Sequence, residues 1–207
     1  MSWIDTLPCS ARDALLSAGR RRDYPAGAQV YGLGDSPGGL YRVQTGSARI
    51  YLGGADGQIL ILRLSRAGDV FGQTVALDGA PAPIFVEART PLSVLFFPQA
   101  ELSRLQMRHP EILEGLSRQA ATTIRGLMAA LQELALMPLP MRLLSRLRAL
   151  SRDAPAAEGW SRVDISQWEV TAMLAASRPA VNKALRSLER DGAVRLGRGW
   201  IEMRSHG

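Results

Sequence analysis

The sequence predicts an α+β protein with three parts in chain order: an antiparallel β-domain, one long helix and a small carboxy-terminal winged helix-turn-helix domain. Short apolar runs separated by glycine and proline predict the β-domain. Continuous helical periodicity predicts the long helix, and two adjacent helix starts followed by a hairpin predict the last domain. The expected boundaries are 1–110, 111–137 and 138–207.

Composition narrows the class of protein. The 207 residues are 46% hydrophobic and 21% charged, which is ordinary for a globular protein. No apolar run is long enough for a membrane span and the start lacks a secretory signal, so we expect no membrane partner and a cytoplasmic location. The single cysteine, Cys9, excludes an internal disulfide and an iron–sulfur cluster, and we interpret it as an incidental thiol.

The net charge of +6 is concentrated near the carboxy terminus. Residues 138–207 carry 12 basic and 7 acidic side chains, whereas residues 1–137 carry 13 basic and 12 acidic ones. A small basic domain favours a polyanionic partner, because each phosphate that it neutralises releases counterions.

Alternation within short runs predicts the strands of the β-domain. Within residues 48–52 every second side chain can face a core, and the glycine-rich residues 53–57 predict a hairpin turn. A short helix is predicted on either side of the domain, at 10–18 and 99–108. The predicted strands are 28–31, 40–43, 48–52, 58–64, 84–88 and 92–97.

The long helix lies between Pro110 and Pro138, since proline is accommodated at a helix start but breaks a helix interior. Residues at alternating spacings of three and four predict the seam of a two-stranded coiled coil, with a second apolar stripe beside it. One stripe would cover the β-domain while the other meets a second copy of the chain; the alternative is one helix buried on two sides of a monomer. The predicted seam is Leu113, Leu116, Ala120, Thr123, Leu127, Ala130, Leu134 and Met137, and the second stripe is Ile112, Ile124, Met128, Leu131 and Ala135.

The last domain contains two helix starts in close succession, after an amphipathic helix at 139–151. Ser166 and Glu169 form a capping box at the first start. Ser177 can cap the second helix, with Pro179 in its first turn. Two helices joined by such a short turn cross steeply, which lets the second helix enter a major groove.

The second of these helices carries polar and basic side chains opposite its apolar stripe. Arginine and lysine reach phosphates and base edges, and a helix that only packs has no need for so many donors. A hairpin with strands at 193–196 and 200–203 would form the wing. We therefore predict double-stranded DNA as the partner; the alternative is a module of the same shape that binds protein. The residues expected at the DNA interface are Ser166, Ser177, Arg178, Pro179, Asn182, Lys183, Arg186 and Arg198.

An enzyme would need chemistry that the sequence does not contain. It has no paired histidine ligands, no glycine-rich phosphate loop ending in Lys-Ser or Lys-Thr, and no nucleophile elbow. We therefore expect neither catalytic residues nor a metal site.

Several short motifs occur in a specific order along nearly the whole chain. They are Tyr24–Gly27, Gly34–Asp35, Tyr41–Val43, Gly46–Ile50, Gly68–Gly72 and, in the second helix of the last domain, Ser177–Arg178 with Val181. In this order, and with the long helix before the last of them, they resemble the Crp/Fnr family, the regulators built like the cyclic AMP receptor protein. The resemblance implies an eight-stranded β-roll that holds a small effector against the long helix, a hinge at 137–140, and a homodimer that regulates transcription. RNA polymerase would be a further candidate partner.

The chain departs from the cyclic-nucleotide members of the family at each effector contact. In those members a glutamate after Phe-Gly holds the ribose and an Arg-Ser pair holds the phosphate, whereas Gln73 and Ala82–Pro83 stand here. Leu127–Met128 replace the polar pair that meets the base. A buried phosphate without its arginine stays largely unpaired, which costs about 3–5 kcal/mol, so cyclic AMP is not the expected effector.

The residues that correspond to the effector pocket are Gly72, Gln73, Ala82, Pro83, Thr123, Leu127 and Met128. Their apolar character leaves two alternatives: an unidentified, less polar effector, or a collapsed pocket that senses nothing. No cofactor is expected. Haem has little support, because the only histidines are His109 and His206 and a surface or capping role is expected for His109.

In the second helix of the last domain the resemblance carries over in part. Arg178 matches the family's guanine-reading arginine, and Lys183 lies where a second basic reader is common. Pro179 replaces a glutamate that would accept from cytosine, so the preferred half-site should differ from that of the cyclic AMP receptor protein. Ala175 replaces the glycine usual in the turn, and we expect it to tighten the turn slightly.

Overall fold

The computed structural model describes residues 2–54, 56–151, 156–157 and 159–204. His206, and Ala55 in the predicted hairpin turn, lie outside these ranges. The chain forms two compact units, Met1–Leu127 and Met128–Gly207, so the long helix is divided between them. No helix in the described ranges combines the length and the apolarity that crossing a bilayer requires.

Eight strands lie in the described residues of the amino-terminal unit. They are β1 (Arg20–Tyr24), β2 (Gln29–Tyr31), β3 (Gly39–Thr45), β4 (Ser47–Gly53), β5 (Ile59–Arg66), β6 (Val70–Phe71), β7 (Phe85–Ala88) and β8 (Leu92–Pro98). In spatial order they form two four-stranded sheets, β1-β8-β3-β6 and β2-β7-β4-β5, and every pairing is antiparallel. Side chains of both sheets share one core. The predicted antiparallel β-domain, and the eight-stranded β-roll implied by the family resemblance, are confirmed.

Aromatic side chains fill the interior of the β-roll. Because successive residues of a strand point to opposite faces, Tyr41 faces inward from β3 while its neighbours face outward. Its ring stacks on Phe71 with the centroids 5.1 Å apart, and lies 4.8 Å from Phe96 and 5.7 Å from Tyr31. Burial raises the pKa of Tyr41 to about 12, since an ionised phenol would lose its hydration. Tyr41 therefore contributes a neutral ring to this aromatic core.

The sequence pattern does not predict β1 or β6. β1 reads Arg-Arg-Arg-Asp-Tyr and lies at the edge of its sheet, where one side is open to water and charge is tolerated. It pairs along its whole length with β8, from Arg20 opposite Phe96 to Tyr24 opposite Leu92. β6 has only two residues. The other six strands begin and end within two residues of their predicted bounds.

Four helices belong wholly or partly to the first unit: α1 (Cys9–Ala18), α2 (Gln73–Asp78), α3 (Gln99–Arg108) and α4 (Pro110–Leu136). The sequence predicts all of them but α2. A second core joins the outer face of the β-roll to α1, α3 and the beginning of α4. Its fully buried members include Leu15, Leu40, Phe97 and Leu102. His109 ends α3, as expected, with its backbone N–H donating to the Leu105 carbonyl.

Leu116 is not available to a dimer seam, and this part of the prediction is wrong. Ile112 and Leu116, one from each predicted stripe of α4, are both fully buried in the second core. The reason is that the first turns of α4 pack against their own β-domain. The buried side of the helix is therefore chosen there by the position of the domain and not by coiled-coil spacing.

In its described residues, the second unit contains three helices and four strands after the end of α4. They are α5 (Leu139–Ser151), β9 (Ala156–Ala157), β10 (Trp160–Val163), α6 (Gln167–Leu174), α7 (Arg178–Arg190), β11 (Val194–Gly197) and β12 (Trp200–Arg204). The strands form one antiparallel sheet in the order β11-β12-β10-β9. Leu143 and Leu147 of α5 and Val181 and Leu185 of α7 are fully buried where α5 packs against α7. The predicted winged helix-turn-helix domain is confirmed.

Candidate nucleic-acid interface and effector site

A capping box fixes the start of α6. The Glu169 backbone N–H donates to Ser166 Oγ at 3.2 Å, and the Ser166 N–H donates to Glu169 Oε2 at 2.9 Å. The Ser166 hydroxyl also donates to that carboxylate at 3.0 Å. The predicted helix start is confirmed, and the Ser166 hydroxyl is already engaged within the protein. A contact between Ser166 and DNA stays a prediction.

The turn between α6 and α7 depends on an unusual backbone conformation at Ala175. Its φ is 47° and its ψ is 44°, and among the described residues it is the one non-glycine with a positive φ. An L-residue is strained in this region, because its Cβ approaches a backbone carbonyl oxygen. The turn therefore has the geometry that glycine favours, and a slight tightening by alanine stays a prediction.

Replacing Ala175 by glycine should stabilise the domain. Removing the Cβ relieves the left-handed strain, and the greater freedom of glycine in the unfolded chain offsets part of the gain. We expect the free energy of unfolding in urea to rise by about 0.5–1 kcal/mol. Ala176→Gly is the matched control, because Ala176 has no positive φ and the same change there should lower stability. Equal losses in both variants would show that Ala175 is unstrained.

The helix α7 begins at Arg178, with Ser177 as its N-cap residue. The Ser177 backbone is extended, but its side chain makes no capping hydrogen bond, so the predicted side-chain cap is wrong. Pro179 lies in the first turn, as predicted. Backbone N–H groups there have no partner within the helix, so the missing N–H of proline costs no hydrogen bond. One side of the helix is buried through Val181, Ala184 and Leu185.

The opposite side of α7 is the reading face, which we define as Arg178, Pro179, Asn182, Lys183 and Arg186. Its three cations are exposed. Within the described ranges, none of them forms an ion pair with a carboxylate. Cations that are not neutralised inside the protein keep their full charge for a phosphate backbone or a base edge.

Asn182 differs from the rest of the reading face because it is half-buried. Its Oδ1 atom is buried and has no hydrogen-bond partner among the described residues. In this orientation the Asn182 NH₂ group is the donor that the side chain has for a ligand. In a major groove such a donor suits the acceptors of guanine or thymine.

The wing is the hairpin of β11 and β12, with Arg198 exposed in its turn. On the same sheet, the Arg195 guanidinium lies 4.1 Å from the ring centre of Trp160, and that of Arg162 lies 4.8 Å from Trp200. We did not single out these cation–π pairs from the sequence. Strand alternation places Trp160 and Arg162 on one face of β10, and this pattern is a signal for cation–π contacts on that face.

At the position of the family's ribose contact, Gln73 begins α2 and follows Gly72, whose φ of 87° favours glycine. Gln73 is only 7% exposed. Its Nε2 donates to Thr123 Oγ1 of α4 at 3.1 Å, and the Thr123 hydroxyl is within 3.0 Å of the Gln119 carbonyl, to which it donates. Two of the predicted pocket residues are thus joined directly to each other.

Ala82 and Pro83, at the position of the phosphate contact, supply backbone but no cation. The Ala82 N–H donates to the Asp35 carbonyl, and the Ala82 carbonyl accepts from Gly34, both at 2.8 Å. The Ala82 side chain is buried in the β-roll core, whereas Pro83 is exposed. Two backbone hydrogen bonds therefore hold this loop against the loop that follows β2.

One cation near the β-roll interior was not found from the sequence. Arg63 of β5 lies opposite the core residue Ile50 and donates from Nη2 to the Val70 carbonyl at 2.8 Å. Burial lowers the pKa of Arg63, although Asp69 opposes the shift. An arginine at an inward position interrupts the alternation of apolar residues along β5. The sequence pattern therefore does not indicate that Arg63 faces the interior.

Leu127 and Met128 are exposed in the single chain, and their assignment to the effector pocket stays a prediction. They are 46% and 66% exposed, and with the exposed Ile124 and Leu131 they occupy positions i, i+3, i+4 and i+7. We call these four residues the α4 stripe. Three of its members, Ile124, Met128 and Leu131, belong to the second predicted stripe. Among the predicted seam residues, Leu113 is exposed, and the half-buried ones are Ala120, Thr123, Ala130 and Leu134.

Comparisons with known proteins agree with this arrangement. Residues 21–109 match the cyclic nucleotide-binding domain family. A CRP-like cAMP-activated global transcriptional regulator of Mycobacterium tuberculosis is 29% identical over 177 residues, which cover 84% of this chain and 79% of that protein. The cyclic AMP receptor protein of Thermus thermophilus is 28% identical over 192 residues, or 93% and 87% of the two chains. These similarities support a transcription regulator of the Crp/Fnr family.

A solved structure of a CRP/FNR-family transcriptional regulator from Thermus thermophilus superposes on this chain with a TM-score of 0.74. The two sequences are 26% identical, and the match covers 89% of this chain and 93% of the other. The c-di-GMP responsive global regulator of Xanthomonas campestris has the same fold, with a TM-score of 0.84 at 21% identity over 96% and 100% of the two chains. The relatives named here are transcription regulators, and the similarity to them supports DNA-binding transcription regulation by this chain.

Proposed function

We propose that this Crp/Fnr regulator acts as a homodimer that places one α7 helix from each copy in successive major grooves of double-stranded DNA. The reading face carries the proposal, because its three cations are exposed and have no ion-pair partner among the described residues. Two such helices related by a twofold axis would read half-sites about 34–36 Å apart, one helical turn. A cytoplasmic location and contact with RNA polymerase are further parts of this proposal.

The α4 stripe supports pairing of two copies. Four large apolar side chains on one side of a helix are unusual at the surface of a monomer and typical of a protein interface. Since the same helix from a second copy presents the same stripe, a twofold axis along α4 would cover both stripes at once.

We further propose that DNA binding does not depend on cyclic AMP. The relatives from Mycobacterium tuberculosis and Thermus thermophilus are named for that ligand. In this chain, Ala82 offers no cation to a phosphate, and Arg63 already donates to a backbone carbonyl. The bond from Gln73 to Thr123 joins α2 to α4 through the protein's own side chains at the position of the family's ribose contact.

A gel-shift titration of genomic DNA fragments at two salt concentrations, with and without cyclic AMP, tests the proposed function. A protein that contacts about six phosphates should lose roughly 10³-fold in affinity between 50 and 200 mM salt. Saturating cyclic AMP should leave the affinity unchanged. Binding that ignores salt would indicate the protein-binding alternative, and an increase of about tenfold or more with cyclic AMP would show that the nucleotide is an effector.

A further inference from the structure

The carboxy-terminal end of α6 is held by a side chain from another helix. The C-cap residues of α1, α2 and α3 each make a backbone capping hydrogen bond, whereas Ala175, the C-cap of α6, makes none with the residues that the structure describes. In its place, Nη1 of Arg142 donates to the Leu174 carbonyl at 3.0 Å. The last carbonyls of a helix lack helical partners, and a cation is favourable at this negative end of the helix dipole.

This hydrogen bond lies directly at the turn that sets the direction of the reading helix. Leu174 is the last residue of α6, Ala175 follows it in the strained left-handed conformation, and α7 begins three residues later at Arg178. A strained backbone conformation persists only where its surroundings hold it. A charge-assisted hydrogen bond to the preceding carbonyl is such a constraint, and it is stronger than a neutral one.

Arg142 is itself well anchored. It lies in the first turn of α5, beside the fully buried Leu143, and α5 packs against both α6 and α7. Its Nε is buried without a hydrogen-bond partner among the described residues. The buried Nε of Arg146 likewise lacks a partner in that part of the chain, so the hydrogen bond to the Leu174 carbonyl is what distinguishes Arg142. The guanidinium is therefore explained by the carbonyl that it binds.

We propose that Arg142 is a positioning residue for DNA reading, which acts by fixing the direction in which α7 leaves the turn at Ala175. This inference rests on the proposed insertion of α7 into the major groove. Arg142 itself need not touch DNA. Its loss should let the reading face vary in orientation, which weakens contacts with base edges much more than contacts with the phosphate backbone.

Two variants of Arg142 and one matched control test this. Arg142→Met keeps the length of the side chain and removes its donors, whereas Arg142→Lys keeps the charge and one donor group. Arg146→Met is the control, because Arg146 lies one turn further along α5, is also half-buried, and likewise has a buried Nε without a partner in the described part of the chain. Affinities are measured by fluorescence anisotropy for a site selected from random DNA and for a random duplex, at several salt concentrations.

We expect Arg142→Met to lower affinity for the selected site about tenfold while the random duplex and the salt slope are unchanged. Arg142→Lys should recover part of the loss, and Arg146→Met should keep the wild-type ratio of the two affinities. If Arg142→Met does not fold by circular dichroism, Arg142→Lys carries the test through the same ratio.

Three results would overturn the inference. A lower free energy of unfolding with an unchanged affinity ratio would make Arg142 a purely structural residue. A salt slope reduced by about one would make it a phosphate contact. A wild-type protein that shows no preference for any selected site would instead refute the proposed function, and the inference with it.

Discussion

Replacing Leu131 by aspartate should separate the proposed dimer into monomers and weaken binding to a two-half-site DNA by about 100-fold or more. Leu131 is 67% exposed in the single chain and belongs to the α4 stripe. In a symmetric dimer both copies of this residue are buried together, and an unpaired buried carboxylate costs about 3–5 kcal/mol. Sedimentation equilibrium measures the mass, and a gel shift measures the affinity.

The matched control for this variant is Met107→Asp. Met107 lies on α3 and is 79% exposed, so it has the same apolar character outside the α4 stripe. It should keep the dimer mass. Because Leu131 is exposed in one chain, its replacement should leave the circular dichroism spectrum unchanged. A monomer mass for the wild-type protein and both variants would refute the dimer.

Arg178→Ala should have the largest effect on sequence specificity. We expect affinity for a selected site to fall by about 1–3 kcal/mol, roughly 5- to 150-fold, while affinity for random DNA barely changes. Arg178 is exposed at the start of α7, and its planar guanidinium can donate two parallel hydrogen bonds to a guanine edge. Fluorescence anisotropy on the two duplexes provides both affinities.

Arg148→Ala controls for the loss of one positive charge. Arg148 is an exposed arginine of α5 that is not part of the reading face. Its replacement should preserve the ratio between selected and random DNA. If Arg178→Ala weakened both duplexes equally, Arg178 would be a phosphate contact, and the base-reading role would pass to another residue of the reading face.

Local signals account for what the sequence predicts well. The capping box at Ser166 and the proline at 179 involve neighbours within one helical turn, and the predicted starts of α6 and α7 agree with the structure. The strand β1 has no such signal. Its three arginines become a strand only through pairing with β8, about 70 residues away, so its own pattern contains little information.

The long helix shows the same limit within one element. Its bounds follow from Pro110 and Pro138, but both of its apolar stripes have helical periodicity. Only the position of the β-domain decides that Leu116 is buried while Ile124 is exposed. The contact of Arg142 with Leu174 is equally non-local, since 32 residues separate the two. The site's local chemistry is predictable, whereas its tertiary constraints are not.

Guanine-N7 methylation protection on DNA fragments selected by the protein tests the central claim most directly. N7 faces the major groove, so a bound α7 helix shields it. We expect two protected patches on one face of the duplex, centred about 10 base pairs apart, and their loss in Arg178→Ala. A single patch, or binding without any protection of N7, would contradict a dimer that reads DNA through α7.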